Sequence, residues 1–235
     1  MMLTKHRLKE NLKILYYRYN SLASRLLFGC SNKHLQIGTG VQVIGIDNVR
    51  LGKNVTLSDG VWINVNNRNN KDVRLSIGDN SFVGRNNFFT VGSSIALHAW
   101  FFSSINCKFI GSTHEKNPLN PYVLNATEQD CAITIESNVF LGAGVTVLGN
   151  VTIGYGSIIG ADSLVTKSIP PLSIAVGRPA VVKKRYDLSQ ERWIDSVEYN
   201  EEVKLPSEKE YLEMINKIGL SKDMTYHAST NRGWL

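Results

Sequence analysis

From Ile135 to Ala180, apolar residues return every six positions: Ile135, Leu141, Val147, Ile153, Ile159 and Val165. Four places after each stands a small or branched residue, at Val139, Val145, Val151, Ser157, Ser163 and Ile169. A period of six suits neither an amphipathic helix, which needs apolar positions every three or four residues, nor a plain strand, which alternates strictly. It suits a solenoid of short flat strands and tight corners, in which each hexad forms one side of a coil and points its first residue inward. Glycines after the inward position (Gly142, Gly154, Gly160) read as corner residues, where the chain turns and has no room for a bulky side chain. A coil hides its apolar residues only against the next one, so the repeats are stable together rather than singly.

The same rhythm, with slips of register, begins at Ile37–Val41, passes through 49–57, 61–63 and 77–89, and persists weakly to Ile110. Two stretches break it. Residues 64–74, NVNNRNNKDVR, are polar and rich in asparagine, the composition of a surface loop. Gly111 to Cys131 has no hexad and carries Pro118 and Pro121, which cannot serve in a central strand ladder. It leaves the coil as a loop, and a loop of that length in a compact fold tends to carry function.

Both ends of the chain read as helical. Leu8, Leu12, Leu15, Tyr19, Leu22 and Leu26 make an apolar stripe over residues 5–28, with Lys5, Lys9, Lys13, Arg18 and Arg25 elsewhere on the wheel and Gly29 placed to end it. Such a helix covers the open first coil, the preferred reading, or rests its basic amphipathic surface on the inner membrane. After Ala180 a helix is predicted over 190–203. Ser207-Glu208-Lys209-Glu210 reads as a capping box that opens another helix, ending at Gly219. The organisation expected is a helical segment 1–34, a solenoid 35–186 with the excursion 111–131, and a helical extension 187–235.

The hexads, closed by Val165–Pro171 (VTKSIPP) and Ala175–Ala180 (AVGRPA), resemble the end of the bacterial hexapeptide-repeat acyltransferases, in particular the sugar O-acetyltransferases of capsule and lipopolysaccharide. The resemblance covers residues 35–186. It implies an all-β solenoid of the left-handed parallel β-helix type, a homotrimer, and acetyl-CoA as acyl donor. The periodicity alone gives no handedness.

Composition narrows the company such a protein keeps. With 43% hydrophobic and 20% charged residues in 235, the chain has the make-up of an ordinary globular protein, and it holds no apolar run long enough to cross a bilayer. Its first residues lack the apolar core of a secretory signal, so a cytoplasmic location is expected. Cys30, Cys107 and Cys131 are odd in number and widely spaced, which suits reduced packing residues rather than a metal site or disulfides. A net charge of +6 and a pI near 9.2 favour an anionic ligand such as CoA, an acidic glycan or a membrane surface. Nucleic acid is not expected, because no recognition motif accompanies the charge.

Acetyl transfer to a sugar hydroxyl requires a base, since a neutral alcohol must lose its proton as the new bond forms. His114, at the root of the excursion loop, is the candidate, and it matches the position of the base that the resemblance implies. Thr113 stands where many members of that family have Asp, and Lys116 where many have a second histidine; Glu115, Asp130 or a backbone carbonyl is left to accept the other ring N–H. Amides around Gly142, Ala143 and Gly144 suit an oxyanion. The resemblance places CoA beside Gly142, Ala143, Gly160 and Ala161, with its phosphates near Lys167, Arg178, Lys183 and Lys184, and Arg185 in reach. Phe140 stands where relatives often have Trp, keeping a stacking surface without an indole donor. Asn86 and Asn87, at a corner before the loop, are candidates for acceptor hydroxyls. No metal is expected: the related zinc enzymes need three histidines, and only His98 and His114 fall among the coils, while His6, His34 and His227 lie outside them. The function read is acetyl-CoA-dependent O-acetylation of a capsule or O-antigen sugar. N-acetylation of a nucleotide-linked amino sugar and a non-catalytic scaffold are the alternatives.

Overall fold

The computed structural model describes residues 35–221 except 67, 69, 126–130 and 201. The predicted N-terminal helix, Cys30, Asp130, His6, His34, His227 and the C-terminal tail lie outside the described residues.

The hexads wind into a three-sided column. Its first coil is β1 (Gln36–Ile37), β2 (Gln42–Ile44) and β3 (Val49–Leu51); the second is β4 (Thr56–Leu57), β5 (Trp62–Val65) and β6 (Leu75–Ile77). There follow β7 (Phe82–Val83), β8 (Phe88–Val91) and β9 (Ile95–Leu97), then β10 (Phe102–Ser103), β11 (Lys108–Gly111) and β12 (Ile133–Ile135). The last full turn is β13 (Phe140–Leu141), β14 (Thr146–Leu148) and β15 (Val151–Ile153), after which β16 (Ile158–Ile159), β17 (Leu164–Val165) and β18 (Ser173–Val176) close the column. Equivalent sides stack in parallel as three sheets: β1-β4-β7-β10-β13-β16-β18, β2-β5-β8-β11-β14-β17 and β3-β6-β9-β12-β15. This is the left-handed parallel β-helix expected from the sequence.

Each side places two residues inward and one outward, as in Val139, Phe140, Leu141. The six hexad-opening residues, Ile135 to Val165, are completely buried, and the residues four places later are at most 5% exposed. The third residue of each corner adopts the left-handed conformation: Asn138 (φ 57°), Gly144 (73°), Asn150 (61°), Gly156 (65°) and Asp162 (55°). Gly, Asn and Asp are the residues that reach this region at least cost. Gly142, Gly154 and Gly160 therefore have a different role from the one the sequence suggested. A Cβ on Gly142 would lie 2.6 Å from Ala161 N, and one on Gly160 2.6 Å from Val176 Cγ1. One on Gly154 would fall onto Pro171 N. These glycines let neighbouring coils approach rather than let the chain turn.

Inside the column the rings of Phe89 and Phe109 stack at 4.3 Å, with Phe101 edge-on to Phe109. Polar residues that point inward are satisfied. Ser157 Oγ donates to Pro170 O and accepts from Ser173 N, and Ser163 Oγ accepts from Gly177 N.

Perfect coils take eighteen residues, as where Phe140 pairs with Ile158 and Thr146 with Leu164. Longer coils carry their extra residues at corners. Both long excursions, 66–74 and 112–131, leave at the corner between the second and third sheets, after β5 and β11 respectively. Asn64 and Val65, expected in the polar loop, instead complete β5, where Val65 is fully buried. The first excursion is held by Asn48, whose Nδ2 donates to the carbonyls of Asn70 and Asp72, and its Asn66 Nδ2 reaches Ser112 Oγ at the root of the second.

Beyond the coils the structure corrects one expectation. The described residues of 190–203 form no helix: β19 (Val181–Asp187) pairs antiparallel with β18, and β20 (Arg192–Asp195) pairs with β19, so the first sheet is extended by a hairpin. Tyr186 and Trp193 face each other across the hairpin with rings 5.1 Å apart. Its turn is built by Asp187, whose carboxylate accepts from Ser189 and Gln190. The capping box is present as expected: Glu210 Oε2 accepts from Ser207 N and Oγ, and Glu210 N donates back to Ser207 Oγ. It opens α1 (Glu208–Ser221), which runs two residues past Gly219. Among the described residues, those up to Tyr199 and those from Asn200 onward form two compact units. Among the described residues no helix is long and apolar enough to cross a membrane.

Candidate functional site

β11 delivers Ser112, Thr113 and His114 to the corner between the second and third sheets, where the chain leaves the ladder. Pro118 and Pro121 then keep it from rejoining. His114 is exposed, and its Nδ1 lies 3.0 Å from the backbone carbonyl oxygen of Asn125. A carbonyl can only accept, so Nδ1 carries the proton, and in the neutral ring Nε2 presents a lone pair. That is the tautomer a general base requires. Of the three acceptors left open by the sequence, a backbone carbonyl accepts the ring N–H; Glu115 takes part in the loop through its own carbonyl, which accepts from Asn125 Nδ2 at 2.9 Å. Sequence reasoning missed Asn125, because a backbone acceptor carries no side-chain signature.

A second group of candidates gathers at the corner between the first and second sheets. Gly142 and Ala143 follow β13, Gly160 and Ala161 follow β16, and Gly177 and Arg178 follow β18, so the three corners stack on successive rungs. Asp162 N donates to Ala143 O at 2.8 Å and Leu164 N to Gly177 O at 3.0 Å, fixing the stack. Gly142, Ala143, Gly160, Ala161 and Gly177 keep it narrow, with Val176 against Gly160 and Arg178 exposed at its end. The amides do not all remain available. Gly142 N is bonded to Ile159 O and Gly144 N to Ile105 O, so of the three expected oxyanion donors those two are committed to the ladder; Ala143 N has no hydrogen bond among the described residues.

The remaining candidates divide between these corners and the first sheet. Lys167, exposed, follows β17 on the same side of the column as His114; Lys183 and Lys184 are exposed on β19. Arg185 is not available for phosphates: it is 4% exposed, with its guanidinium 4.3 Å above the Tyr199 ring. Asn86 is exposed at the first–second corner in the left-handed conformation (φ 54°). Asn87 must be withdrawn as an acceptor contact. It is fully buried, donating to Ser103 Oγ at 2.6 Å and accepting from Cys107 N at 2.5 Å, a rung inside the column. Phe140 faces outward, 39% exposed, and continues a ladder of rings with Phe82 and Phe102. Within one chain, then, His114 and the small-residue corner stand on different edges of the triangle.

Burial pushes the Cys107 thiol up to about 11, so it is a packing residue; Cys131 is also buried. His98 is half-buried beside β9. Among the described residues no three His, Cys, Asp or Glu side chains are grouped to hold a metal.

Residues 132–167 match the family described as "Bacterial transferase hexapeptide (six repeats)". The chain is 41% identical over 133 residues to a protein named "Putative acetyltransferase" from Staphylococcus aureus (strain Mu50), a match covering 56% of this chain and 65% of that protein. It is 34% identical over 145 residues to a galactoside O-acetyltransferase of Lactococcus lactis, covering 61% of this chain and 59% of that one. Each match thus spans less than two thirds of the relative's length. Among solved structures, AntD, an N-acyltransferase from Bacillus cereus in complex with dTDP and 3-hydroxybutyryl-CoA, superposes with a TM-score of 0.61 at 18% identity, covering 86% of this chain and 95% of that one. That likeness is one of fold.

Proposed function

From a chain whose closing coils are bacterial hexapeptide-transferase repeats, we propose an acetyl-CoA-dependent O-acetyltransferase acting on a sugar of a cell-envelope polysaccharide, capsule or O-antigen. The observation that carries this is the His114 Nδ1–H bond to the Asn125 carbonyl, which leaves Nε2 unprotonated at the root of an exposed loop. Nε2 takes the proton of the acceptor hydroxyl as its oxygen attacks the thioester carbonyl, and the Asn125 carbonyl dipole stabilises the imidazolium that forms. The tetrahedral oxyanion is met by an amide such as Ala143 N–H. Its collapse expels CoA thiolate, which recovers the proton from His114, and no acyl-enzyme is formed.

The donor lies along Gly142, Ala143, Gly160 and Ala161, its phosphates paired with Arg178, Lys183 and Lys184 of the same copy and with Lys167 of the copy that supplies His114. Asn86 and Phe140 stand on the acceptor side. Because His114 and this corner occupy different edges of one column, the site is assembled between copies, in a homotrimer. The reading also places the chain in the cytoplasm, where acetyl-CoA is made.

The test is transfer from acetyl-CoA to hydroxyl and amine sugar acceptors, with wild type and His114→Ala. The variant is expected to lose about 10²–10⁴-fold in kcat while binding acetyl-CoA normally. Full activity in His114→Ala removes the base. Amine acceptors outpacing hydroxyls turns the assignment to N-acylation, and failure of the wild type to bind CoA reduces the column to a scaffold.

A further inference from the structure

We infer that Asn125 is the positioning residue of the site: its side-chain amide closes the excursion loop into a ring, and that closure holds its own carbonyl on His114 Nδ1. The inference rests on His114 being the base. Asn125 is 6% exposed, although Leu119, Tyr122, Val123 and Leu124 between it and His114 are 60–89% exposed. A buried amide at the base of a solvent-exposed loop needs partners, and Nδ2 has two: it donates to the carbonyls of Glu115 (2.9 Å) and Asn117 (3.3 Å). Its backbone N–H donates to Tyr122 O at 3.2 Å, ending the short 3-10 turn. Three segments of the loop thus converge on one residue, and the fourth bond from it goes to the imidazole.

The amide cannot be turned over, because Oδ1 would then face two carbonyls. As placed, Oδ1 is buried without a hydrogen-bond partner. An unpartnered buried oxygen is unfavourable, so the two donor bonds, not chance packing, set the orientation. The consequence falls on the tautomer. Imidazole in water prefers its proton on Nε2, which would abolish the base; the Asn125 carbonyl reverses that preference only while the ring holds it in line.

The experiment reads tautomer and turnover separately. Full-length protein labelled with 15N-histidine is examined by two-bond 1H–15N correlation at a pH where imidazole is neutral, the His114 signals being assigned by their loss in His114→Gln. Wild type is expected as the Nδ1–H form. Asn125→Ala, which keeps the backbone carbonyl, is expected to revert mainly to Nε2–H and to lose on the order of 10–100-fold in kcat with KM for acetyl-CoA unchanged. Asn125→Asp, equal in size but without donors, is expected to behave like Ala. A wild type in the Nε2–H form overturns the inference, as does retention of the wild-type tautomer in either variant. Thermal melts establish that both variants fold. An inactive wild type with the expected tautomers would instead count against the acetyltransferase reading alone.

Discussion

Replacing Gly142 by alanine tests why the repeats carry glycine after the inward residue. The added Cβ would stand 2.6 Å from Ala161 N, 2.9 Å from Ala161 Cα and 3.1 Å from the Gly160 carbonyl carbon. All three are backbone atoms of the next rung, which is held by Gly142 N to Ile159 O at 2.8 Å and Gly160 N to Ala175 O at 2.9 Å. No side chain can rotate away, so the rungs must part by roughly 0.5–1 Å, forfeiting part of their contact and straining both hydrogen bonds. Overpacking of this kind costs about 1–3 kcal/mol, and backbone opposition puts it near the top of that range. For a chain of this size a cost of about 3 kcal/mol lowers the melting temperature by about 6–12 °C, read by circular dichroism at matched protomer concentration because assembly adds to stability. Gly144→Asn is the control. Gly144 needs the left-handed conformation (φ 73°), which Asn138 and Asn150 already hold at the same place in their coils, and the nearest atoms to its new Cβ belong to the movable Asp162 side chain. Its cost is expected below about 1 kcal/mol. Wild-type melting in Gly142→Ala, or equal loss in Gly144→Asn, would refute the assignment of these glycines to close approach.

Arg178→Ala should raise KM for acetyl-CoA about tenfold or more with kcat unchanged, as expected for loss of a charge-assisted phosphate contact; an unchanged KM removes Arg178 from the donor site. Cys107, its thiol held up near 11, should resist iodoacetamide at neutral pH in the folded protein and react once unfolded, as mapped by mass spectrometry. The folded chain keeps that proton longer than the unfolded one, so this contribution to stability is present below the ordinary value of 9.0 and is lost as pH rises toward about 11; rapid native labelling would contradict it. Hydrogen bonds from Ser207 hold the Glu210 carboxyl below its usual range. The cap is therefore intact above that range and is lost as pH falls through the lowered value, seen as lower amide protection factors in the first turn of α1 once the pH dependence of the intrinsic exchange rate is divided out. Protection factors there that do not change on acidification would deny the cap a role.

What could be read beforehand was whatever repeats. The inward positions were visible because one register serves every coil, and the capping box because its spacing is local. Asparagine has two roles here. At Asn138 and Asn150 it holds the left-handed third position of a corner, whereas the glycines singled out in the sequence, Gly142, Gly154 and Gly160, stand at the first. At Asn87 it fills the column, because Ser103 and Cys107 supply buried partners from neighbouring sides, a pairing sixteen to twenty residues apart that no local pattern shows. The helix predicted over 190–203 gives way to β20 because the strand pairing there is decided by the open edge of β18 through β19, a tertiary fact. His114 could be singled out by its place in a broken rhythm, but the group that orients it could not, since any residue type offers a carbonyl.

The placement of the excursions has a physical logic. A column whose rungs are bonded at 2.7–3.0 Å on every side can take extra residues only at corners. At the first–second corner a Cβ on Gly142 or Gly160 would meet the next rung at 2.6 Å, and extra chain would break that close approach. Both long excursions leave at the second–third corner, and the Asn66–Ser112 hydrogen bond ties them together. One edge of the column keeps the short small-residue corners at Gly142, Gly160 and Gly177, while another gathers both excursions and His114. A single triangle cannot bring two of its edges together. The chemistry proposed for this chain thus requires a neighbouring copy, and a strictly monomeric protein that still transfers acetyl groups would break the argument at that step.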